Sequence, residues 1–338
     1  MRKTYLMLAA LAAGALALPG ASYAQTTLTV GMPTTPPNIV HMPVIVAQDL
    51  GIFKKNGIAV KTVALDGGVK VFRAMLAGNL DIAQSPGTVT TIGISKGSQV
   101  KAILGTLYKF EASMVVRDNV KTMADLKGKR IGIQQPGGFA DILSKNVLRA
   151  AKIDPKEVHF VSIATEDVPA LVADQVDTAI LHVEQEMQAK EKVPSLHAVA
   201  RMWEIQPKQV YTVYGVKEST IKEKPAALQA FTNAVIEATR IMYTDKAKVL
   251  PIMVKHTGYS EKIISATYDT LVKSCIWDAN TGLSPDRFAF TANLMTKVGN
   301  IEKGKTPTYD QIVDKEFATK AIKDLGEWKG PVCPTAVF

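Results

Sequence analysis

Val63–Pro86, read VALDGGVKVFRAMLAGNLDIAQSP, decides how this chain is organised. It runs strand, Gly-Gly turn, helix, short strand and polar turn. Asp66-Gly67-Gly68 ends the strand and opens a helix that continues to about Ala77. Gly78-Asn79 stops the helix, Leu80–Ala83 forms the next strand, and Gln84-Ser85-Pro86 turns the chain again. Paired glycines let backbone approach a ligand closely, and a helix N-terminus offers unpaired N–H groups. The turn lacks the Lys-Ser/Thr that follows a nucleotide-binding P-loop, so it is not one.

Working outward, the same alternation recurs. Thr27–Gly31 reads as a strand, followed by the turn Met32–Pro37, a helix from about Asn38 to Asp49, and strand Ile58–Val63. That is a βαβ unit. A helix at Gly87–Ser95 and a strand at Val100–Leu107 complete a first series. A second series begins near Glu111, with strands at Ser113–Val116, Lys129–Ile133, Val158–Ile163 and Thr178–Leu181. It continues through Leu196–Ala200 and Gln209–Val216. Its turn Gln134-Gln135-Pro136-Gly137-Gly138 again places glycines between a strand and a helix, Phe139–Ala151. Ala74–Ala83 (AMLAGNLDIA) and Ala170–Ala179 (ALVADQVDTA) share Ala, Ala, Asp and Ala at matching positions. Both copies occupy the same place in their series, which predicts two similar lobes.

From Ile221 onward the pattern is helical, with stretches at Lys224–Tyr243, Ala247–Lys255, Glu261–Val272 and Pro285–Val298. A tail of helices alone cannot bury its apolar stripes, so it must pack back on the first lobe. The chain then passes between lobes twice, near Lys109 and near Ser219. The predicted division is 1–24 as a signal peptide, 25–109 plus 220–338 as lobe I, and 110–219 as lobe II.

The signal peptide is read from Arg2 and Lys3, an apolar Leu6–Leu18, the break at Pro19-Gly20 and small residues before Gln25. Its apolar run is short for a membrane span. With no Cys near the cut, lipid attachment is not expected, and the mature chain is exported. The 338 residues suit two α/β lobes. A formal charge of +9 is spread along the chain without a basic run interleaved with aromatics, which argues against nucleic-acid binding. Two cysteines, Cys275 and Cys333, leave a disulfide open, and neither Cys nor His has the spacing of a zinc site.

Gly93-Ile94-Ser95-Lys96-Gly97 matches the G-x-S-x-G pattern, but it falls at the end of a helix rather than on a strand-to-helix elbow. His159, His197 and His256 read as structural. His41, one turn into the first helix, and His182, at a strand's C-terminal end, stand where α/β proteins place ligand contacts. Asp141 reads as a helix cap. Trp203 and Trp277 read as core. No pair of carboxylates has a spacing that demands acid–base catalysis, so no enzyme activity and no cofactor are expected.

Several stretches taken together carry a family resemblance. They are Asp49-Leu50-Gly51-Ile52-Phe53-Lys54-Lys55-Asn56-Gly57-Ile58, Asp66-Gly67-Gly68, Ala77–Ala83 (AGNLDIA) and Ala124–Gly132 (ADLKGKRIG). In this order they resemble the periplasmic solute-binding proteins of ABC importers, in the nitrate/sulfonate/taurine group with its thiamine-pyrimidine-precursor relatives. Pro37-Asn38-x-x-His41 is similar to the helix start of the pyrimidine-precursor binders. The resemblance implies an α/β fold of the type II periplasmic binding protein, two lobes joined by two crossovers around a ligand cleft. It implies a monomer that captures a small organic solute, sulfonate- or carboxylate-like, by closing, and delivers it to an inner-membrane permease. The alternatives are a pyrimidine-precursor binder or a synthase-like enzyme on the same fold. The expected ligand-binding set is Thr35, Asn38, His41, Asp66, Gly67, Gly68, Gln84 and Ser85 from one side. From the other side it is Gln135, Gly137, Gly138, Phe139, His182 and Glu184.

Overall fold

The computed structural model describes residues 25–107, 109–163 and 167–331. The expected signal peptide and Cys333 lie outside the described residues. The first series folds as β1 (Thr26–Met32), a 3-10 turn at Ile39–His41, α1 (Met42–Asp49), α2 (Ile52–Lys55), β2 (Ile58–Ala64), α3 (Gly68–Leu76), β3 (Ile82–Pro86), α4 (Gly87–Ser95) and β4 (Val100–Gly105). The second folds as β5 (Ser113–Val116), β6 (Arg130–Ile133), α5 (Phe139–Ala150), β7 (His159–Ser162), α6 (Asp167–Val172), β8 (Thr178–Leu181), α7 (Val183–Lys192), β9 (His197–Arg201) and α8 (Met202–Ile205). The chain then returns through β10 (Thr212–Lys217), α9 (Glu218–Glu223), α10 (Pro225–Thr244), α11 (Lys246–Thr257), α12 (Glu261–Lys273), α13 (Pro285–Lys297), α14 (Tyr309–Ile312) and α15 (Glu316–Leu325).

Two five-stranded sheets result, ordered β2-β1-β3-β10-β4 and β7-β6-β8-β5-β9. The orders are the same design. In each sheet three strands run parallel and a fourth, antiparallel strand separates them from the last. That antiparallel strand is in both cases the one the chain forms immediately after crossing between lobes, β5 outward and β10 on the return. Here the expected boundary needs correction. The sequence pattern places residues 209–216 in the second series, yet Thr212–Lys217 pairs with β3 and β4 of the first sheet. The return crossing therefore lies between Ile205 and Thr212, not near Ser219. A strand pattern reports burial on two faces and says nothing about which sheet supplies the partners.

The internal echo has a shared physical role. Asp81 accepts the Thr29 backbone N–H through Oδ2 at 2.8 Å while its own N–H donates to Thr29 O at 2.9 Å. Asp177 accepts the Arg130 N–H at 2.8 Å and donates its own to Arg130 O at 2.9 Å. Each aspartate thus closes the parallel ladder where β3 meets β1 and β8 meets β6. Each also meets a cation, Lys224 at 2.6 Å and Arg130 at 3.0 Å. Asp81→Ala and Asp177→Ala are each expected to cost about 1.5–3 kcal/mol, the range for a hydrogen bond to a charged group. Urea denaturation checks this, and two unchanged midpoints would show that the echo is incidental.

The helical tail packs as anticipated. Phe231 of α10 stacks on Phe53 of α2 (5.7 Å, 6°) and meets Tyr214 of β10 edge-on (5.4 Å). It also reaches the second lobe, which was not anticipated. Ile142 of α5 shares an apolar cluster with Met295 of α13 and with Ile301, and Thr267 of α12 donates to Met187 Sδ of α7 at 3.6 Å. Trp277 is core and donates its indole N–H to Val40 O at 3.2 Å, and Trp203 is buried. Ser95 at the end of α4 donates to Ile92 O, consistent with a helix terminus rather than a nucleophile elbow. His256 bonds Asp49 at 2.9 Å, far from the cleft. Cys275 is buried and disulfide-bonded.

Candidate functional site

The C-terminal ends of β1, β2 and β3 face those of β6, β7 and β8 across a cleft, the place where α/β sheets bind ligands. The space not filled by atoms there, mouth included, is about 560 Å³. The first lobe supplies Pro33, Thr34, Asn38, His41, Gly67, Gly68 and Pro86. The second supplies Gln134, Gln135, Gly138, Phe139, Asp167, Ile180 and His182. Tyr211 and Thr212, where the return crossing ends, complete the lining.

Most of the expected residues come together here, but several do not. Thr35 is exposed, and its neighbours Pro33 and Thr34 line the cleft in its place. Asp66 is exposed and pairs with Lys70 at 3.2 Å. Gln84 and Ser85 are buried inside β3, because that strand extends through Pro86. Their side chains bond Tyr214 (3.0 Å) and Thr90 (3.0 Å). Gly137 lies off the cleft and donates its N–H to Asp141 Oδ2 at 2.8 Å. Glu184 is fully buried behind Asn38 and lines no open surface. Gln134, Asp167 and Tyr211 were not anticipated. Asp167 opens α6, one residue before the helix expected from Val168, and Tyr211 lies in the stretch 209–216 that the sequence pattern places in the second series.

The glycines act differently from one another. Gly67 has φ +95°, and a Cβ there would come within 2.8 Å of Gln135 Nε2, so it is a point of close approach between lobes. At Gly68 a Cβ would meet Pro86 Cδ at 2.2 Å, within one lobe. Gly68 is therefore required for packing of β3 against α3, rather than mainly for approach to a ligand.

The wall of the cleft is aromatic. Phe110 of the outward crossing stacks on Tyr211 of the return (4.3 Å, 23°). Tyr211 stacks on Phe139 (5.3 Å, 14°), and Phe139 on His182 (5.4 Å, 7°). Rings from both crossings and from the second lobe thus form one roughly parallel series. Behind it, Glu111 holds His182 Nδ1, with the Tyr211 hydroxyl 3.2 Å from that nitrogen and 3.4 Å from Glu111 Oε1.

Burial alone would lower the His182 pKa, but the charge and hydrogen bond of Glu111, helped by Glu184 and Asp167, outweigh it and raise it to about 9. His182 is thus an imidazolium at neutral pH. Burial first, and then the His182 charge, lower His41 to about 3, so it stays neutral. Burial pushes Glu184 above the ordinary carboxylate range against the pull of His182. Burial and the Glu111 charge push the Tyr211 hydroxyl far upward. None of the residues lining the cleft, among those described, is Lys or Arg. The lining carries Asp167 and the imidazolium, with two more carboxyls, Glu111 and Glu184, directly behind. No group of three metal-type side chains gathers among the described residues.

The helix starts of the second lobe are occupied by the chain's own side chains. Gln134 Oε1 accepts the Ala140 N–H at 3.1 Å, and Asp141 accepts that of Gly137. Gln185 accepts the His182 N–H at 2.9 Å, and Glu184 and Glu186 sit in the first turn of α7. Asp141 in the first turn of α5 and Glu184 and Glu186 in that of α7 already place carboxyls at those termini, which reduces their capacity for an anion.

Comparison with known proteins agrees with this architecture. Residues 38–248 match the profile of the family described as NMT1/THI5 like. A Bacillus subtilis (strain 168) protein named as a binding protein, YtlA, is 25% identical over 296 residues, covering 85% of this chain and 88% of its own length. A Haemophilus influenzae protein named for thiamine biosynthesis is 29% identical over 143 residues, covering 41% of this chain and 45% of its own. The solved periplasmic nitrate-binding protein NrtA of Synechocystis PCC 6803 superposes with a TM-score of 0.74 at 14% identity, over 91% of each chain. The resemblance read from the sequence therefore holds, the fold is that of the periplasmic solute-binding proteins, and the chain belongs to the NMT1/THI5-like family.

Proposed function

We propose that this protein is the extracytoplasmic solute-binding component of an ABC importer whose ligand is a flat nitrogen heteroaromatic, uncharged or protonated, of the pyrimidine-precursor kind. The reading replaces the sulfonate or carboxylate expected from sequence. The carrying observation is the make-up of the cleft, an aromatic wall and carboxyl groups with no Lys or Arg in the lining. An anion entering this cleft would meet one imidazolium already paired with Glu111, and Asp167 beside it. Buried ionic groups without compensation are costly, so a sulfonate is a poor fit.

A flat ring with both donors and acceptors fits better. His41 Nδ1 and Gln135 Nε2 are buried with no hydrogen-bond partner among the described residues. Neutral His41 and Asp167 can accept from a ring amine, and the Gln135 amide and the His182 imidazolium can donate to a ring nitrogen or carbonyl. The relative named for thiamine biosynthesis supports a ligand of this class. A ligand touching both lobes shifts the balance toward the closed form that would dock on the permease.

A thermal-shift screen of the mature protein with aminopyrimidines, aromatic acids, alkanesulfonates and nitrate tests this reading. A pyrimidine at 100 times its Kd should stabilise the protein by about 2.7 kcal/mol. A shift with a sulfonate or nitrate and none with a pyrimidine would overturn it.

A further inference from the structure

Glu184 is the second residue of α7 in the second lobe, and its side chain is fully buried. Its Oε1 accepts two hydrogen bonds from the first lobe, from Asn38 Nδ2 at 3.1 Å and from the backbone N–H of Ile39 at 3.1 Å. Asn38 is the residue before the 3-10 turn that leads into α1, and its side chain makes no cap bond to its own helix start. An asparagine at that position ordinarily caps its own turn. Here the capping oxygen comes from the opposite lobe, and the Asn38 amide serves to hold that oxygen.

We propose that Glu184 is a positioning residue that registers the two lobes in the closed arrangement by capping the first-lobe helix start across the cleft. The carboxyl does not need to touch the ligand for this. Separating the lobes exchanges both bonds for water at once, so the clasp is a discrete contact that is either made or broken. Its neighbours are built for the same closed geometry. Gly67 lies against Gln135, and Ile142 of α5 packs with Met295 of α13. The proposal goes beyond the assignment of a ligand and holds whichever solute is bound.

The test uses the ligand-free mature protein, stripped by unfolding and refolding, in wild type, Glu184→Ala, Glu184→Gln and Asn38→Ala. Small-angle X-ray scattering reads the opening, and amide hydrogen exchange reads the Ile39 N–H. In Glu184→Ala the Ile39 amide should exchange about tenfold faster, the loss of roughly one net hydrogen bond, and the radius of gyration should rise. Amides in β1 and β6 should keep their protection, which separates opening from unfolding. Glu184→Gln retains the accepting oxygen and should restore both readings toward wild type. Should Glu184→Ala fail to fold, Asn38→Ala should show the same changes in smaller degree. Unchanged Ile39 exchange and radius in the folded variants would overturn the proposal, as would Glu184→Gln behaving like Glu184→Ala. Because no ligand is present, the outcome stands apart from that of the ligand screen.

Discussion

Replacing His182 with alanine is expected to lower the unfolding free energy by about 3–5 kcal/mol at neutral pH, the cost of stripping one partner from a buried ion pair. The imidazolium is what makes the buried Glu111 carboxylate tolerable, and Tyr211 shares the same contact. Removing the ring leaves a fully buried carboxyl beside a tyrosine hydroxyl. The double variant Glu111→Ala, His182→Ala should lose less than the sum of the single losses, since neither charge is then stranded.

The pH dependence gives this prediction a sign. His182 has a folded pKa of about 9, above its ordinary 6.5. Its contribution is fully present below pH 6.5 and is lost as pH rises through 9. His41 works in the opposite direction, with a folded pKa of about 3. Below pH 6.5 its unfolded form binds a proton that the folded form refuses, so stability falls as pH drops toward 3. The thermal midpoint of the wild type should therefore decline on both sides of about pH 6.5. The difference in midpoint between wild type and His182→Ala should shrink between pH 6.5 and 9. A constant difference across that window would show that His182 is not held as an imidazolium.

Gly67→Val is expected to weaken ligand binding by roughly tenfold to a hundredfold, which corresponds to about 1.4–2.8 kcal/mol. The backbone at φ +95° disfavours any side chain, and a Cβ would meet Gln135 Nε2 at 2.8 Å only when the lobes are together. Closure is thus obstructed at one edge while the sheet beneath is untouched. Gly68→Val should behave differently. Its Cβ would strike the Pro86 ring of the same lobe, so the loss should appear in stability whether or not a ligand is present. Calorimetry with the best pyrimidine of the screen, paired with urea denaturation, separates the two variants. Equal effects of both on affinity and stability would remove Gly67 from the interface between lobes.

Much of this was legible in the chain. The Gly-Gly turn, the helix behind it and the aspartate repeated at Asp81 and Asp177 follow from local rules, because each depends on residues close in sequence. The long helices after Ile221 were readable for the same reason. What local rules could not supply was partnership over distance. Glu111 and His182 are 71 positions apart, and Glu184 meets Asn38 across 146. The chemistry of the cleft rests on those pairs, and so does the proposed heteroaromatic ligand. β10 was misplaced because its alternation is compatible with either sheet. Thr35 stands one position from the lining residue Thr34, and Gln84 and Ser85 lie inside β3 because that strand ends at Pro86, three residues past the expected Ala83. The helix starts invited an anion from sequence, yet Asp141, Glu184 and Glu186 place carboxyls in their first turns.

The central claim is that the cleft closes on a nitrogen heteroaromatic and rejects anions. Isothermal titration calorimetry of the mature protein at pH 7, with an aminopyrimidine and an alkanesulfonate titrated in parallel, tests it most directly. The expected result is saturable binding of the pyrimidine at micromolar affinity or tighter, with a negative heat-capacity change from burial of apolar surface, and no heat from the sulfonate. Micromolar binding of the sulfonate with none of the pyrimidine would contradict the account.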